Sequence, residues 1–350
     1  MSRRLAHLAG RAAQARHKLG WGARIVGPGA TAAGVVRLAA LRLGPDRYAR
    51  VRLRSGVRIG FEVPAQVPTA LVVFRTLIDP EYAFLTEWAN AEPAEPAAAG
   101  ARPDQVVLDV GAAIGQFSLF AAQRPGTVVH AFEPSGRNLA TLHRNLDENG
   151  LADRIVVHQL ALADWEGEQQ FTTQGNAYLS RPDAGPGAGA DGGTETVPVR
   201  TLAGVCAELG LDRIAVLKVN VAGYEPEVLA GAVPLLARGA VEILVLLIGE
   251  RSIDWYERCA GWGYRFFFYR RDTRTLHELA DLSLSTLEHP PSPARHVIAL
   301  HRTVLDRRGR DGDLLGAVRV AQQDQSGSRS PRPKNASTAA RTRAAAQPSP

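Results

Sequence analysis

One stretch of ten residues restricts the fold of this chain more than any other: VVLDVGAAIG, from Val106 to Gly115. Strand-forming residues lead into Asp109, and a turn with glycines at 111 and 115 follows, before the apolar-periodic segment GQFSLFAAQ. A turn without β-carbons lets other atoms approach the backbone, and the helix behind it has free N–H groups in its first turn. The pattern predicts a strand, a turn and a helix, and the turn is either a ligand cradle or only a tight connection.

A second apolar run, TVVHAFEP, ends in an acid, Glu133, 24 residues after Asp109. Strand, glycine turn, helix, strand and acid together are typical of a half-site in which a carboxylate holds the ribose of a nucleoside. Ala113 replaces a glycine of the dinucleotide fingerprint G-x-G-x-x-G, which disfavours a nicotinamide dehydrogenase. The residues that we predict to bind a cofactor at this edge are Asp109, Gly111, Ala112, Gly115 and Glu133.

The net charge of +6 is concentrated at the two ends of the 350-residue chain. Residues 1–45 contain eight Lys or Arg and no acid, and residues 303–350 contain nine basic and four acidic residues. The stretch between them has 24 basic and 31 acidic residues and is therefore acidic. A nucleic-acid-binding core would show the opposite distribution, so we expect a small-molecule partner and no nucleic acid.

The cysteines and the apolar runs indicate the setting of the protein. Cys206 and Cys259 are too few for a disulfide framework and lie outside any metal-ligand spacing, so we expect buried thiols and no metal. No apolar run is long enough to span a membrane, and the beginning of the chain lacks the apolar stretch of a secretory signal. A cytoplasmic protein is the resulting expectation.

Strands and helices alternate along the chain, and this predicts an α/β fold with a mostly parallel sheet covered by helices on both faces. Further strands are predicted over 155–164, 214–221 and 241–250, with a helix over 226–238 and a hairpin of 167–173 with 195–202. We expect a basic, partly helical leader (1–45), a hairpin and helices packing on the core (46–91), a linker (92–104), the main domain (105–305) and a low-complexity tail (306–350).

The leader contains a basic amphipathic pattern over residues 3–19, with arginines on one side of a helical wheel and leucines and alanines on the other. Such a helix can make weak contact with an anionic membrane surface, or it can dock on its own domain. The oligomeric state stays open.

Several polar residues are predicted near the ends of strands. Lys218 is the single lysine between residues 46 and 302 of a chain with 38 arginines, which indicates that a compact ammonium is needed there, for a substrate oxygen or a neighbouring carboxylate. Asp164 ends the third strand, where it can accept a hydrogen bond from an adenine amino group or cap a turn. The histidines within strands, His130 and His158, are expected to be core residues. The residues predicted to serve the reaction are Lys218, Asn220, Glu225 and Glu250.

The motifs LDVGAAIGQFSLFAA, AFEPSGRN, LALAD and LKVNVAGYEPEVLAGA, with Asn145 and the apolar strand that ends in Glu250, resemble those of the FkbM-type methyltransferases over residues 50–272. The resemblance implies a Rossmann-like, seven-stranded domain that binds S-adenosylmethionine and methylates a hydroxyl of a sugar, lipid or polyketide. It places Asp109, Gly111 and Gly115 at the methionine side, Glu133 at the ribose and Asp164 at the adenine.

The chain departs from this family in its fourth-strand motif. The family pattern Lys-x-Asp-x-Glu-Gly-x-Glu reads here from Lys218 to Glu225, with Asn220 and Ala222 in place of two acids. An amide cannot accept a proton near neutral pH, so Glu225, Glu250 or His158 would have to serve as the base. The alternative is a partner protein that binds the cofactor without turnover.

Overall fold

The computed structural model describes residues 16, 18–90, 105–172, 181–182, 194–279, 295–306, 313–314 and 318–320. Most of the predicted helix over 3–19, the linker 92–104 and the chain after residue 320 lie outside these ranges. The N-terminal elements are α1 (Pro28–Leu43), β1 (Tyr48–Arg52), β2 (Arg58–Glu62), α2 (Thr69–Phe74) and α3 (Pro80–Asn90). No helix in the described ranges is both long and apolar enough to cross a bilayer.

The rest of the described chain alternates between strands and helices. Its first half contains β3 (Gln105–Val110), α4 (Gln116–Ala121), β4 (Thr127–Phe132), α5 (Gly136–Asn149), β5 (Ile155–His158), β6 (Ala161–Ala163), β7 (Gly167–Thr172), β8 (Arg181–Pro182) and β9 (Thr194–Thr201). Its second half contains α6 (Leu202–Glu208), β10 (Ile214–Val219), α7 (Glu225–Gly231), α8 (Val233–Ala237), β11 (Val241–Ile248), α9 (Trp255–Gly261), β12 (Tyr264–Arg270), β13 (Thr275–Glu278), β14 (Arg295–His301), α10 (Arg302–Asp306), β15 (Asp313–Leu314) and β16 (Val318–Val320).

The central sheet confirms the predicted α/β class. Seven adjacent strands have the order β5-β4-β3-β10-β11-β14-β12; the first five run parallel, and β14 is antiparallel to both of its neighbours. Three short strands, β13, β16 and β15, extend this sheet to ten. Successive residues of a strand point to opposite faces. Accordingly Val107 packs in a core with α3, α4 and α5, and Leu108 in a second core with α6 to α9.

The strand order reverses at β3, since the chain continues from β3 to β4 and β5 on one side and returns as β10 and β11 on the other. In open α/β sheets, ligands bind in the crevice at such a switch point, beyond the carboxyl ends of the strands. β3 and β10 pair directly, with Lys218 opposite Asp109 in the register. The fold therefore brings the first and fourth predicted motifs together.

Three boundaries differ from the sequence predictions. The third strand is two strands: β5 ends at His158, and β6 pairs with β9 in a separate four-stranded sheet. The helix predicted over 226–238 is divided into α7 and α8 because Pro234, which lacks an N–H, lies in the first turn of α8. Ordered structure also continues past residue 305, where a tail was expected, because β15 and β16 pair onto β13.

The predicted N-terminal hairpin forms, with β1 antiparallel to β2, and two asparagines of α5 attach it to the domain. The Asn145 amide accepts a hydrogen bond from Gly60 N (2.7 Å) and donates to the carbonyls of Gly60 (3.0 Å) and Ile114 (2.9 Å). One helical turn later, Asn149 makes the same pair of bonds with the backbone of Arg58. Asn145 and Asn149 of α5 thus pair with Gly60 and Arg58, which are two residues apart in β2. The two amides bind the backbone groups of β2 that a neighbouring strand would otherwise bind.

We expect Asn145→Ala to lower the free energy of unfolding by at least about 3 kcal/mol, because it leaves three buried backbone groups unsatisfied at about 1–3 kcal/mol each. Urea denaturation followed by circular dichroism measures the change. Asn149→Ala is the matched control: its bonds to Arg58 are exposed, water replaces them, and we expect a loss of about 1 kcal/mol or less. Equal losses would contradict the role of Asn145 as the buried attachment.

Candidate active site

A cavity of about 570 Å³ opens at the switch point, beyond the carboxyl ends of β3, β4 and β10. Its size is within the range of roughly 300–1,000 Å³ that is usual for small-molecule sites. The second sheet closes one side through β6, β7 and β9, and α3 contributes Tyr82 from the N-terminal part of the chain. Of the predicted site residues, five line the cavity: Gly111, Ala112, Glu133, Lys218 and Asn220.

Lys218 holds the floor of this cavity together. Its ammonium donates to Asp109 Oδ1 and to the Gly111 carbonyl, both at 2.8 Å, and makes a longer bond of 3.4 Å to the Val110 carbonyl. Asp109 is fully buried, and its other oxygen, Oδ2, accepts a bond of 2.6 Å from the Ser118 hydroxyl. Of the two partners considered for Lys218, the structure therefore shows the neighbouring carboxylate, and Asp109 lies beneath the cavity wall.

The two glycines of the turn make room for the chain itself. Gly111 has φ +78°, and a β-carbon there would lie 2.1 Å from the carbonyl oxygen of Asn220. Gly115 has φ +87° and precedes α4, with the Leu142 side chain 3.3 Å from the position of a β-carbon. Both angles are in the left-handed region that favours glycine. The glycines thus allow a tight connection between packed elements, which was one of the two roles considered for them.

The backbone N–H groups of the turn are also used internally. Those of Gly111 and Ala112 donate to the Phe132 carbonyl at 3.0 Å, and that of Ala113 donates to Glu133 Oε2 at 2.9 Å. Ala113 adopts φ +49° although it is not a glycine. The turn consequently presents a wall of fixed shape to the cavity.

Glu133 follows β4 directly and is buried in the cavity wall. Besides the bond from Ala113, its Oε1 accepts from Ser135 N and from Asn138 Nδ2, each at 3.0 Å. Burial raises the pKa of this carboxyl, while the three hydrogen bonds and the Lys218 charge act in the opposite direction. A carboxylate oxygen can accept two bonds, and Oε2 accepts one from the described residues, so it retains acceptor capacity.

The altered fourth-strand motif forms a turn along the cavity. Asn220 is exposed and lines the cavity together with Ala222, which adopts φ +56°. Glu225 is buried away from the cavity, and its Oε1 accepts a bond of 2.9 Å from Val221 N. The structure therefore uses Glu225, which was predicted to serve the reaction, to cap the turn.

The carboxylate that does line the cavity from this region is Glu227, which was not among the predicted site residues. Its Oε1 accepts a bond of 2.6 Å from Arg251, whose guanidinium also donates to the Gly223 carbonyl at 2.7 Å. Glu227 Oε2 is buried and has no hydrogen-bond partner within the part of the chain that the structure describes. Glu250, which was predicted as a site residue and precedes Arg251 in the sequence, begins a short 3₁₀ turn, and its side chain lies outside the described residues.

At the other end of the cavity, Trp165 lines the wall, whereas the predicted Asp164 is exposed and does not contribute to it. Tyr82 was also missed, because its place depends on how α3 packs against Phe117 and Phe120 of α4. Burial, reinforced by nearby carboxylates, raises the pKa of Tyr82 well above its usual value, so its hydroxyl stays protonated.

The remaining candidates lie apart from the cavity. His130 Nδ1 is 3.0 Å from His158 Nε2, and the two rings are stacked. Burial, together with the neighbouring His158, lowers the pKa of His130 from 6.5 to about 4, and burial lowers that of His158. Cys206 and Cys259 are buried free thiols whose pKa is raised by burial to about 12. His130 is buried, as predicted, whereas His158 is only partly buried.

Residues 109–277 match the family model described as the methyltransferase FkbM domain. The 31-O-demethyl-FK506 methyltransferase FkbM of Streptomyces tacrolimicus is 37% identical over 159 residues, which cover 37% of this chain and 60% of that protein. The 2-O-methyltransferase NoeI of Sinorhizobium fredii is 27% identical over 151 residues, covering 39% and 61%. The chain thus spans less than two thirds of either relative.

Among solved structures, an rRNA methylase from Streptococcus thermophilus superimposes with 12% identity and a TM-score of 0.37, over 65% of this chain and 98% of that chain. The α/β fold class is established by the strand order of this protein and does not rest on that likeness.

We expect Lys218→Met to lower the free energy of unfolding by about 3–5 kcal/mol, because it leaves the Asp109 charge buried without a partner. Asp109→Asn should destabilise as well, and the double variant should lose about 1–3 kcal/mol less than the sum of the two. Urea denaturation of the three variants measures the coupling. Arg50→Met is the control: it breaks an exposed 2.7 Å pair with Glu148 and should cost about 1 kcal/mol or less. Additive losses for Lys218 and Asp109 would contradict their pairing.

Proposed function

Because residues 109–277 of this chain match the model of the methyltransferase FkbM domain, we propose that the protein is an S-adenosylmethionine-dependent methyltransferase acting on a hydroxyl group of a sugar, a lipid or a polyketide-type molecule. The observation that carries the proposal is the cavity at the switch point, lined by both the β3 turn and Glu133 within the matched region. The printed names of both relatives specify O-methylation, and this supports a hydroxyl acceptor. The family match also argues against the dehydrogenase alternative.

The residues present fit the cofactor. Glu133 Oε2 retains acceptor capacity and can take a hydrogen bond from a ribose hydroxyl. The Trp165 ring at the rim offers an apolar surface for adenine, and the wall from Gly111 to Ala113 faces the place of the methionine part. Lys218 is neutralised by Asp109, so its charge does not oppose a positively charged ligand.

When bound, S-adenosylmethionine supplies a methyl group on a positively charged sulfur. The task left to the chain is to align the acceptor hydroxyl with that group and to take its proton. Among the described cavity-lining side chains, Glu227 is the candidate for the second requirement, because its carboxylate belongs to the cavity lining and Oε2 has no hydrogen-bond partner within the described residues. Arg251 holds the opposite oxygen and fixes the orientation of the group. We assign the proton-accepting role to Glu227.

The other candidates are less suited to this role. Glu225 is used by the turn and Lys218 by Asp109, and His158 stacks on Phe132 without lining the cavity. Asn220 lines the cavity but can only donate or accept a hydrogen bond, without taking a proton. It can therefore orient the acceptor hydroxyl toward Glu227.

We expect Glu133→Ala to weaken cofactor binding by about 10- to 150-fold, as is usual when a ligand loses a hydrogen bond to a charged group. Isothermal titration with S-adenosylhomocysteine measures this without turnover. Ser118→Ala is the matched control, because it removes the bond to Asp109 beneath the same turn without touching the cavity wall. An equal loss in both variants would assign the effect to the fold of the turn rather than to ligand contact.

We expect Glu227→Gln to lower kcat by about 10²- to 10⁴-fold, the usual contribution of a general base, with unchanged affinity for S-adenosylhomocysteine. Turnover is measured as S-adenosylhomocysteine release with a panel of hydroxylated sugars, lipids and polyketides. Glu166→Gln is the control, since Glu166 also pairs with an arginine, Arg200, but does not line the cavity.

The same assay tests the second candidate function, a cofactor-binding partner without turnover, which the exchange of two acids for Asn220 and Ala222 favours. In that case the wild type binds cofactor but is inactive on every acceptor, and Asn220→Asp with Ala222→Glu generates turnover. A wild type that is active and slowed by the restored acids would exclude this candidate.

A further inference from the structure

One side of α1 is apolar and exposed along the whole helix. Val36 and Leu43 are 69% and 88% exposed, and Val35 is 40% exposed, so α1 contains three of the six large hydrophobic residues that are exposed in the described part of the chain. Four alanines of the same helix are also exposed, at positions 32, 33, 39 and 40. Positions 32, 36, 39 and 43 recur every three or four residues and therefore share one face of the helix.

The opposite side of α1 is fixed to the protein. A β-carbon at Gly34 would lie 1.9 Å from the Val73 carbonyl, so the helix touches the backbone of α2 at this point. Arg37 Nη1 donates to the Val72 carbonyl at 2.7 Å, and Leu38 and Leu41 pack against the core. The apolar face cannot rotate inward without breaking these contacts. Within the described residues, this face has no partner that covers it.

Charge indicates which partner fits this face. Residues 1–45 contain eight Lys or Arg and no acid, whereas residues 46–302 are acidic. Arg42 is exposed within α1 itself, and Arg24 is exposed in the segment that precedes it. A second copy docked through the same face would bring two basic segments together, and a nucleic acid would meet an apolar surface. A lipid layer fits both features, because its negative headgroups attract the basic segment and its apolar interior can bury the apolar face of α1.

We propose that the exposed face of α1 docks this protein on an anionic lipid surface. The helix lies in the interface, with Val36 and Leu43 at the acyl boundary and the neighbouring arginines at the headgroups. The acidic core is repelled by the same surface, which orients the molecule with its N-terminal part toward the lipid. This inference is independent of the methyl transfer proposed above.

Co-sedimentation of the full chain with vesicles tests the proposal. We expect binding to vesicles of phosphatidylglycerol and phosphatidylcholine in equal parts, at least about tenfold stronger than to phosphatidylcholine alone, and weaker at high salt. Val36→Gln with Leu43→Gln should reduce binding by at least about tenfold, because each side chain loses apolar burial in the interface. The matched control is Val156→Gln with Leu209→Gln, whose side chains are 43% and 42% exposed elsewhere, and it should bind like the wild type.

Unchanged melting temperatures establish that both double variants are folded. No binding to anionic vesicles, or an equal loss in the control variant, would overturn the proposal. Light scattering in the absence of lipid tests whether a second copy of the chain binds this face instead. If the wild type is a dimer and Val36→Gln with Leu43→Gln converts it to a monomer, the face is a self-interface and the proposal is overturned.

Discussion

The ammonium group of Lys218 is the interaction on which the site depends. It links β10 to β3 across the switch point by donating to a fully buried carboxylate, that of Asp109, and to two carbonyls at the end of β3. Three donors meet three acceptors around one small group, an arrangement that the planar fork of an arginine does not reproduce. This explains why a chain with 38 arginines has a lysine at this position.

The shape of the cavity follows from this link. Lys218 fixes the end of β3 in place. The Asn220 carbonyl can then pack against Gly111, which has no side chain, and Ala113 can donate its N–H to Glu133. Two alanines on the cavity wall, Ala113 and Ala222, adopt left-handed conformations that cost about 1 kcal/mol or more each. Such residues persist only where their surroundings determine the backbone strongly. The network around Lys218 and Glu133 does so for Ala113.

The sequence predicted the fold well because the signals were local. The apolar runs and the glycine turn located the central strands β3, β4, β10 and β11. Helix α5 begins after Ser135 and ends before Gly150, which are residue types that usually bound helices. The site was less predictable, since it depends on which side of a turn or a helix faces the cavity. Asp164 was predicted, but its neighbour Trp165 lines the wall, because both residues lie in a bend after β6 where no periodic pattern indicates which side chain faces the cavity. Tyr82 depends on packing between distant segments, for which the sequence contains no local signal.

Glu225 and Glu227 show how the chain retains an acid in the cavity despite the altered motif. Residues two apart on a helix face different sides, so Glu225 closes the turn while Glu227 reaches the cavity. The turn has lost its two acids at 220 and 222, and the Lys218 charge is balanced by Asp109. Within the described residues, the carboxylates that line the cavity are then Glu133 and Glu227, with Arg251 paired to the latter from outside the wall. A cavity with this charge distribution suits a positively charged ligand better than an anionic one, because an anion would meet two carboxylates without a lining cation free to balance them.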